Sequence, residues 1–261
     1  MSTDTMLYAW ARPLDIDPRL DHTWVTDYQP ASSYADIGAV VKAFKNYWYC
    51  WGDFHTNDFR AIGHDGADET IAKCLVWPND ANSHGTIFRY AIDGVCHQLA
   101  NQVLYSTGSQ MVVSKANGYG ISSFLYGPYG LTHSAWAHKI HVCTIAEAIP
   151  MDELETMLTK ALDAHATPDA VEALKKLRAE FQASLQTKRP QTFVATAEDE
   201  AADLNDKITQ FMHQAHELLG DEAFQAVFGI EMADTFKLVD PDMFAASEAN
   251  YAAHLEAKDD E

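Results

Sequence analysis

Several features that would assign this chain to a class are missing from its sequence. No stretch approaches the roughly 20 consecutive apolar residues that a membrane-spanning helix needs. The N-terminus has no basic region followed by an apolar run, so no classical signal peptide is expected. The four cysteines are widely spaced and form no CxxC pair, which argues against a zinc ribbon or a disulfide framework. We therefore expect a cytoplasmic protein, or one exported without a classical signal peptide.

Basic residues are also scarce. Lys and Arg number 18 against 38 Asp and Glu, giving a formal net charge of −20. Such a balance argues against a nucleic-acid backbone or an anionic membrane surface as partner. There is no GxGxxG, GxxxxGK or GxSxG motif, so nucleotide-binding and serine-hydrolase functions have no support, and we expect no cofactor. The 261 residues are 47% hydrophobic, which indicates a globular protein.

The two halves of the chain differ in amino-acid composition and in hydrophobic pattern. We predict a domain at residues 1–148 and a helical C-terminal region at 149–261. Tyr, Trp, Gly and His are concentrated in the first half, among short apolar runs and turn residues. The predicted strands there are 22–28, 46–51, 87–92 and 137–144, with a helix at 33–44 and a glycine- and tyrosine-rich loop at 118–130. The predicted helices of the second half are 151–165, 168–188, 197–219, 221–228 and 243–258. The fold class is α+β.

The most informative residue is Cys96, which follows the predicted strand and opens an apolar stripe at helical spacing. Asp93 and Gly94 lie at the junction, where Asp is a good helix N-cap and Gly permits a sharp turn. In the first turn of a helix, the dipole and the free N–H groups favour the thiolate. The same N–H groups can form an oxyanion hole. Cys96 is therefore our candidate nucleophile, whereas Cys50, Cys74 and Cys143 are interpreted as inert.

The neighbours of Cys96 have different expected roles. His97 points about 100° away from Cys96 on the same helix, so it is not expected to be the base for that thiol. It is interpreted as a hydrogen-bonded or substrate-side residue. Gln98 is interpreted as a helix cap, or as a side-chain donor near the thiolate.

The order of three features along the chain resembles that of circularly permuted papain-like enzymes. His22 lies on an early strand, polar residues follow the aromatic strand 46–51, and Cys96 then begins a helix. This group includes NlpC-like amidohydrolases and relatives of lecithin–retinol acyltransferase, and the resemblance covers about residues 20–145. It implies a papain-like core of antiparallel strands packed against the Cys96 helix. The α-helical C-terminal region would be an addition to that core.

The resemblance also implies an activity and a set of roles. Family members cleave or form amide, ester or thioester bonds through an acyl-cysteine, so we expect a peptide-like, peptidoglycan-like or acyl substrate. Cys96 would be the nucleophile and His22 the general base, with Asp53, or else His55, orienting the imidazole. Candidate substrate-binding residues are His97, Gln98, Tyr119 and Trp24.

Two other functions stay open. A metallohydrolase would draw on some of the twelve histidines, such as the neighbouring His133, His138 and His141, or His55 and His64. No HExxH or HxH spacing occurs. His138 and His141 would face opposite sides of a strand, so no metal site is predicted. A non-enzymatic protein would instead use its acidic helices to bind a basic partner, with Cys96 as a bystander. The oligomeric state is not indicated.

Overall fold

The computed structural model describes residues 4–26, 60–68, 89–106, 111–131, 153–186 and 195–249, which form an α+β fold. Three strands come first: β1 Asp4–Pro13, β2 Asp21–Thr26 and β3 Arg60–Asp68. Six helices follow in the described ranges: α1 Cys96–Ser106, α2 Tyr119–Tyr126, α3 Leu154–Asp163, α4 Pro168–Gln186, α5 Ala197–Phe228 and α6 241–249.

The strands form an antiparallel sheet in the order β2-β1-β3, with a register irregularity between Ala9 and Trp10 in the β1–β3 pairing. Ala9 pairs with Val25, and both belong to an apolar cluster that includes Ala100 and Leu104 of α1. Because side chains alternate along a strand, one face of the sheet therefore packs against α1. The opposite face carries Trp10, Trp24, Arg12 and His22, in directly paired positions.

The helices α4 and α5 of the second half pack against α2. An aromatic cluster joins Phe124 of α2 to Phe211, Phe224 and Phe228 of α5, and the Phe124 and Phe228 ring centroids are 5.3 Å apart. Edge-to-face ring pairs at this distance are favourable beyond the area that they bury. The same hydrophobic cluster includes Leu14, Leu20 and Leu99. The core therefore crosses the predicted domain boundary at residue 148.

Several predicted elements are confirmed. The strand predicted at 22–28 is β2, and the helices predicted at 151–165 and 168–188 are α3 and α4. The two helices predicted at 197–219 and 221–228 are α5, which is interrupted at Gly220, where φ is 70°. Gly229 then ends α5 in the left-handed conformation, as a C-terminal glycine commonly does. Of the helix predicted at 243–258, residues 243–249 are helical in α6.

Two predicted elements are wrong. Residues 118–130, interpreted as a loop, contain α2, whose Gly120 lowers its helix propensity but lets it pack closely on α5. Of the strand predicted at 87–92, residues 89–92 belong to a turn closed by an isolated bridge between Tyr90 and Gly94. The predicted elements 33–44, 46–51 and 137–144 lie outside the described residues.

Of the helices in the described ranges, none combines the length and the apolar character required to cross a lipid bilayer.

The contact between α2 and α5 depends on the absence of a side chain at Gly120. A Cβ at this position would overlap the backbone of Phe228. We expect Gly120→Ala to destabilise the protein by about 2–3 kcal/mol, because neither helix backbone can yield without repacking. Gly220→Ala is the control, since it has open space but φ of 70° and should cost about 1 kcal/mol. Equal losses in urea unfolding would contradict this account.

Candidate active site

The helix that begins at Cys96 is capped by a residue three positions into it. The Gln98 Oε1 accepts a hydrogen bond from the backbone N–H of Val95 at 3.0 Å, which is one half of a capping box. The prediction that Cys96 lies in the first turn is confirmed, as is the capping role of Gln98. Asp93 does not cap this helix: its carboxylate accepts from the Arg89 backbone N–H at 2.7 Å and closes the preceding turn.

The Cys96 thiol lies in the interior against β2. Its side chain is buried, and its Sγ donates to the backbone carbonyl of Asp21 at 3.8 Å. Burial raises the pKa of the Cys96 thiol to about 11, although hydrogen bonds from Thr23 and from the His97 N–H act in the opposite direction. The expected thiolate is therefore wrong for this geometry, because desolvation outweighs the helix terminus.

His22 lies on the strand that contacts Cys96, but its ring does not face the sulfur. Thr23 is directed towards Cys96, so alternation along β2 places the His22 side chain on the opposite face of the sheet. There the His22 ring stacks on Trp24, with ring centroids 5.7 Å apart. The structure thus brings together Cys96 and the backbone of β2, but not the two predicted catalytic side chains.

The imidazole of His97 is fully buried and engaged at both nitrogens. Its Nε2 lies 3.1 Å from the carbonyl oxygen of Asp21, which can only accept, so Nε2 carries the proton. Its Nδ1 then accepts from the Ser122 hydroxyl at 2.7 Å. Burial lowers the pKa of His97 to about 4, which keeps the ring neutral at pH 7.

The chain from Ser122 through His97 to the Asp21 carbonyl has the hydrogen-bond order of a serine–histidine pair with its orienting group. All three residues are completely buried. Gln98 Nε2 adds a further hydrogen bond to the Ser122 oxygen at 3.3 Å and another to the Gly127 carbonyl at 3.0 Å. We interpret this chain as a structural connection between β2, α1 and α2, because no reactant reaches it in this geometry.

Polar residues of α1 make further contacts with α2 and the adjacent segments. Asn101 donates to the Pro128 carbonyl at 2.7 Å and accepts from the Val113 N–H at 2.8 Å. The Tyr119 hydroxyl donates to Glu153 at 3.3 Å, and burial raises its pKa. The predicted substrate-binding residues His97, Gln98, Tyr119 and Trp24 are therefore all buried in this geometry.

Three residues of the site were not anticipated from the sequence: Asp21, Thr23 and Ser122. Asp21 acts through its backbone carbonyl, which residue type does not reveal. Ser122 would have been detectable if 119–126 had been interpreted as a helix, because its position on α2 faces the polar side of α1. Thr23 is adjacent to His22 on β2, and only the packing of α1 shows which of the two faces the thiol.

The remaining candidates lie largely outside the described residues. This applies to Asp53 and His55, to Cys50, Cys74 and Cys143, and to His133, His138 and His141. His64 lies on β3, opposite Tyr8 of β1. In the described ranges, no group of three or more His, Cys, Asp or Glu side chains is arranged to hold a metal ion.

Comparison with known proteins gives no independent assignment: no family model, no curated protein and no solved structure matches the chain. The resemblance to permuted papain-like enzymes thus rests on the residues themselves.

The buried neutral His97 makes stability sensitive to acid. Its folded pKa of about 4 lies below the 6.5 of a free histidine, so the unfolded chain binds more protons between these values. Keeping His97 neutral therefore contributes up to about 3 kcal/mol to the free energy of unfolding. This contribution is present above pH 6.5 and is lost as the pH falls to 4. We expect His97→Gln to be less stable than the wild type at pH 7.5. Its free energy of unfolding, measured with urea, should however fall less steeply as the pH is lowered.

The control is His213→Gln, which changes an exposed histidine that is hydrogen-bonded to the Asp234 carbonyl. Its pH profile should follow that of the wild type. A His97→Gln profile as steep as the wild type would show that His97 is not the source of the acid sensitivity.

Proposed function

We propose that this protein is a thiol-dependent hydrolase or acyltransferase that acts on an amide bond of a peptide or peptidoglycan-like substrate. Cys96 is the nucleophile and His22 the general base. One observation carries the proposal: the Cys96 sulfur, in the first turn of α1, lies beside the backbone of His22, between the Asp21 carbonyl and Thr23. The order of these residues along the chain supports the same assignment, through its resemblance to permuted papain-like enzymes.

The proposed reaction has two steps. His22 takes the thiol proton as the sulfur attacks the substrate carbonyl carbon, and N–H groups at the start of α1 stabilise the oxyanion. The protonated His22 gives its proton to the leaving amine, so that an acyl-cysteine remains. Water or another acceptor, deprotonated by His22, then releases the acyl group and the thiol. Asp53 or His55 would orient the imidazole.

This chemistry requires a rearrangement of the described geometry. The thiol must leave the Asp21 carbonyl, and the His22 ring must leave Trp24 and approach the sulfur across the edge of β2. Since Cys96 and His22 are both buried, substrate binding also requires an opening above them. The buried geometry by itself predicts that the Cys96 thiol reacts slowly, whereas an enzyme requires a reactive thiol. Measuring the reactivity of Cys96 therefore tests the proposal.

The test is the pH dependence of iodoacetamide labelling, followed for each cysteine by peptide mass spectrometry. We expect Cys96, when local opening makes it accessible, to label with an apparent pKa below the roughly 8.5 of a free thiol. His22→Ala should slow Cys96 and raise that apparent pKa, whereas His213→Ala, at an exposed site, should have no effect. An apparent labelling pKa of Cys96 at or above the roughly 8.5 of a free thiol, unchanged by His22→Ala, would exclude it as a nucleophile.

A second candidate function is the binding of a basic partner by the acidic surface of residues 195–249, within the helical half. Residues 195–249 contain thirteen Asp or Glu and two Lys. Nine of these acidic residues are exposed: Glu198, Asp199, Asp206, Glu217, Asp221, Glu222, Glu231, Asp234 and Asp242. A surface of one sign favours association with the opposite charge and depends on salt.

For this function we expect a lysine-rich peptide to bind in fluorescence anisotropy, more weakly as salt is raised to about 0.15 M. Neutralising Glu217, Asp221 and Glu222 together should weaken binding at least about fivefold, since each is an exposed part of the acidic surface. The control neutralises the exposed Glu155, Asp163 and Asp169 of α3 and α4, with the same change in net charge. Equal effects of both triple variants would indicate only a response to net charge.

A further inference from the structure

The turn that precedes Cys96 is held by residues 148 to 157 positions further along the chain. The Tyr90 backbone N–H donates to the Ser247 hydroxyl at 2.8 Å, and this bond is buried. The Tyr90 hydroxyl donates to the Leu238 carbonyl at 3.3 Å and accepts from the Asp240 N–H at 3.4 Å. We refer to residues 238–247 as the C-terminal clamp.

The turn needs such contacts, because its own conformation is unfavourable. Ala91 has φ of 65°, in the left-handed region that residues with a Cβ rarely adopt. Two further tertiary bonds hold it: the Tyr126 hydroxyl donates to the Ala91 carbonyl at 2.8 Å, and the Leu131 N–H donates to the Asp93 carbonyl at 2.7 Å. The turn is therefore fixed by α2 on one side and by the C-terminal clamp on the other.

Only Val95 separates this turn from Cys96, so the direction in which α1 begins depends on the turn. We propose that the C-terminal clamp is a positioning element for Cys96: by holding Tyr90, Ser247 keeps the thiol buried against β2, and release of the clamp exposes it. The catalytic meaning of this inference rests on the proposed function, for which the clamp would supply the required opening. The control of Cys96 exposure does not require catalysis.

The test compares Ser247→Ala with Ser184→Ala in the full chain. Ser247→Ala removes the Ser247 hydroxyl that accepts from the buried Tyr90 N–H. In the described part of the chain, the Ser184 hydroxyl bonds only to Phe181 within its own helix. With iodoacetamide in the absence of denaturant, we expect Ser247→Ala to raise the labelling rate of Cys96 about tenfold. Ser184→Ala should stay within about twofold of the wild type.

Tyr90→Phe is the second variant, since it removes the bonds to Leu238 and Asp240 but retains the backbone bond to Ser247. It should also raise the labelling rate of Cys96, while the labelling rates of Cys50, Cys74 and Cys143 stay unchanged. Low urea concentrations should have little effect on the Cys96 rate. Wild-type rates at Cys96 in both variants, or a parallel rise at all four cysteines, would overturn the clamp.

The clamp and the proposed function fail separately. A clamp variant that labels faster at Cys96, but with a labelling pKa near that of a free thiol and unaffected by His22→Ala, would support the clamp and reject the enzyme. Fast labelling of Cys96 that depends on His22 but is unaffected by Ser247→Ala would support the enzyme and reject the clamp.

Discussion

The backbone carbonyl of Asp21 is the acceptor around which the described core is arranged. It accepts from the Cys96 thiol and from the His97 ring, and it thereby joins the first turn of α1 to β2. The Asp21 carboxylate accepts from the Asn117 N–H at 2.6 Å, and the Asp21 N–H donates to the Asn117 carbonyl, so the segment that leads into α2 is attached as well. A buried carbonyl without hydrogen-bond partners destabilises the folded state. Substitution of any one of these partners is therefore expected to be destabilising.

Burial of this junction determines its chemistry. Desolvation raises the pKa of the Cys96 thiol and lowers that of the His97 imidazole, so both groups are neutral at pH 7 in this geometry. A neutral pair that is fully hydrogen-bonded gives a rigid core. Reactivity would require water or substrate to replace part of that packing, so the proposed enzyme depends on local opening at the start of α1.

The helical region contributes directly to the junction. Arg178 and Gln182 of α4 donate to the Phe124 and Leu125 carbonyls in the last turn of α2, and Phe124 packs against α5. The segment after α5 contacts the loop between β1 and β2, where Asp17 accepts from the Lys237 N–H, and it contacts the turn before Cys96 through Ser247. Residues from several parts of the described chain thus contact the elements that flank Cys96.

Much of the helical half could be predicted because its signals are local. Apolar spacing and glycine terminators are properties of short segments, and the capping box of Thr196 and Asp199 is likewise local, so α3, α4 and α5 lie close to the predicted ranges. The signals that predicted the start of α1 at Cys96 also lie within a short segment. The helix α2 was not predicted because Gly120 lowers its local helix propensity, and the packing of Gly120 on Phe228 is a tertiary contact that the segment alone does not show.

The sequence by itself determined that Cys96 begins a helix and that His22 lies on a strand. Only the tertiary structure decided that the thiol is buried, that Thr23 rather than His22 faces it, and that Ser122 and Asp21 engage His97. The physical reason is that helix initiation depends on neighbouring residues, whereas desolvation and the choice of strand face depend on groups that are distant along the chain.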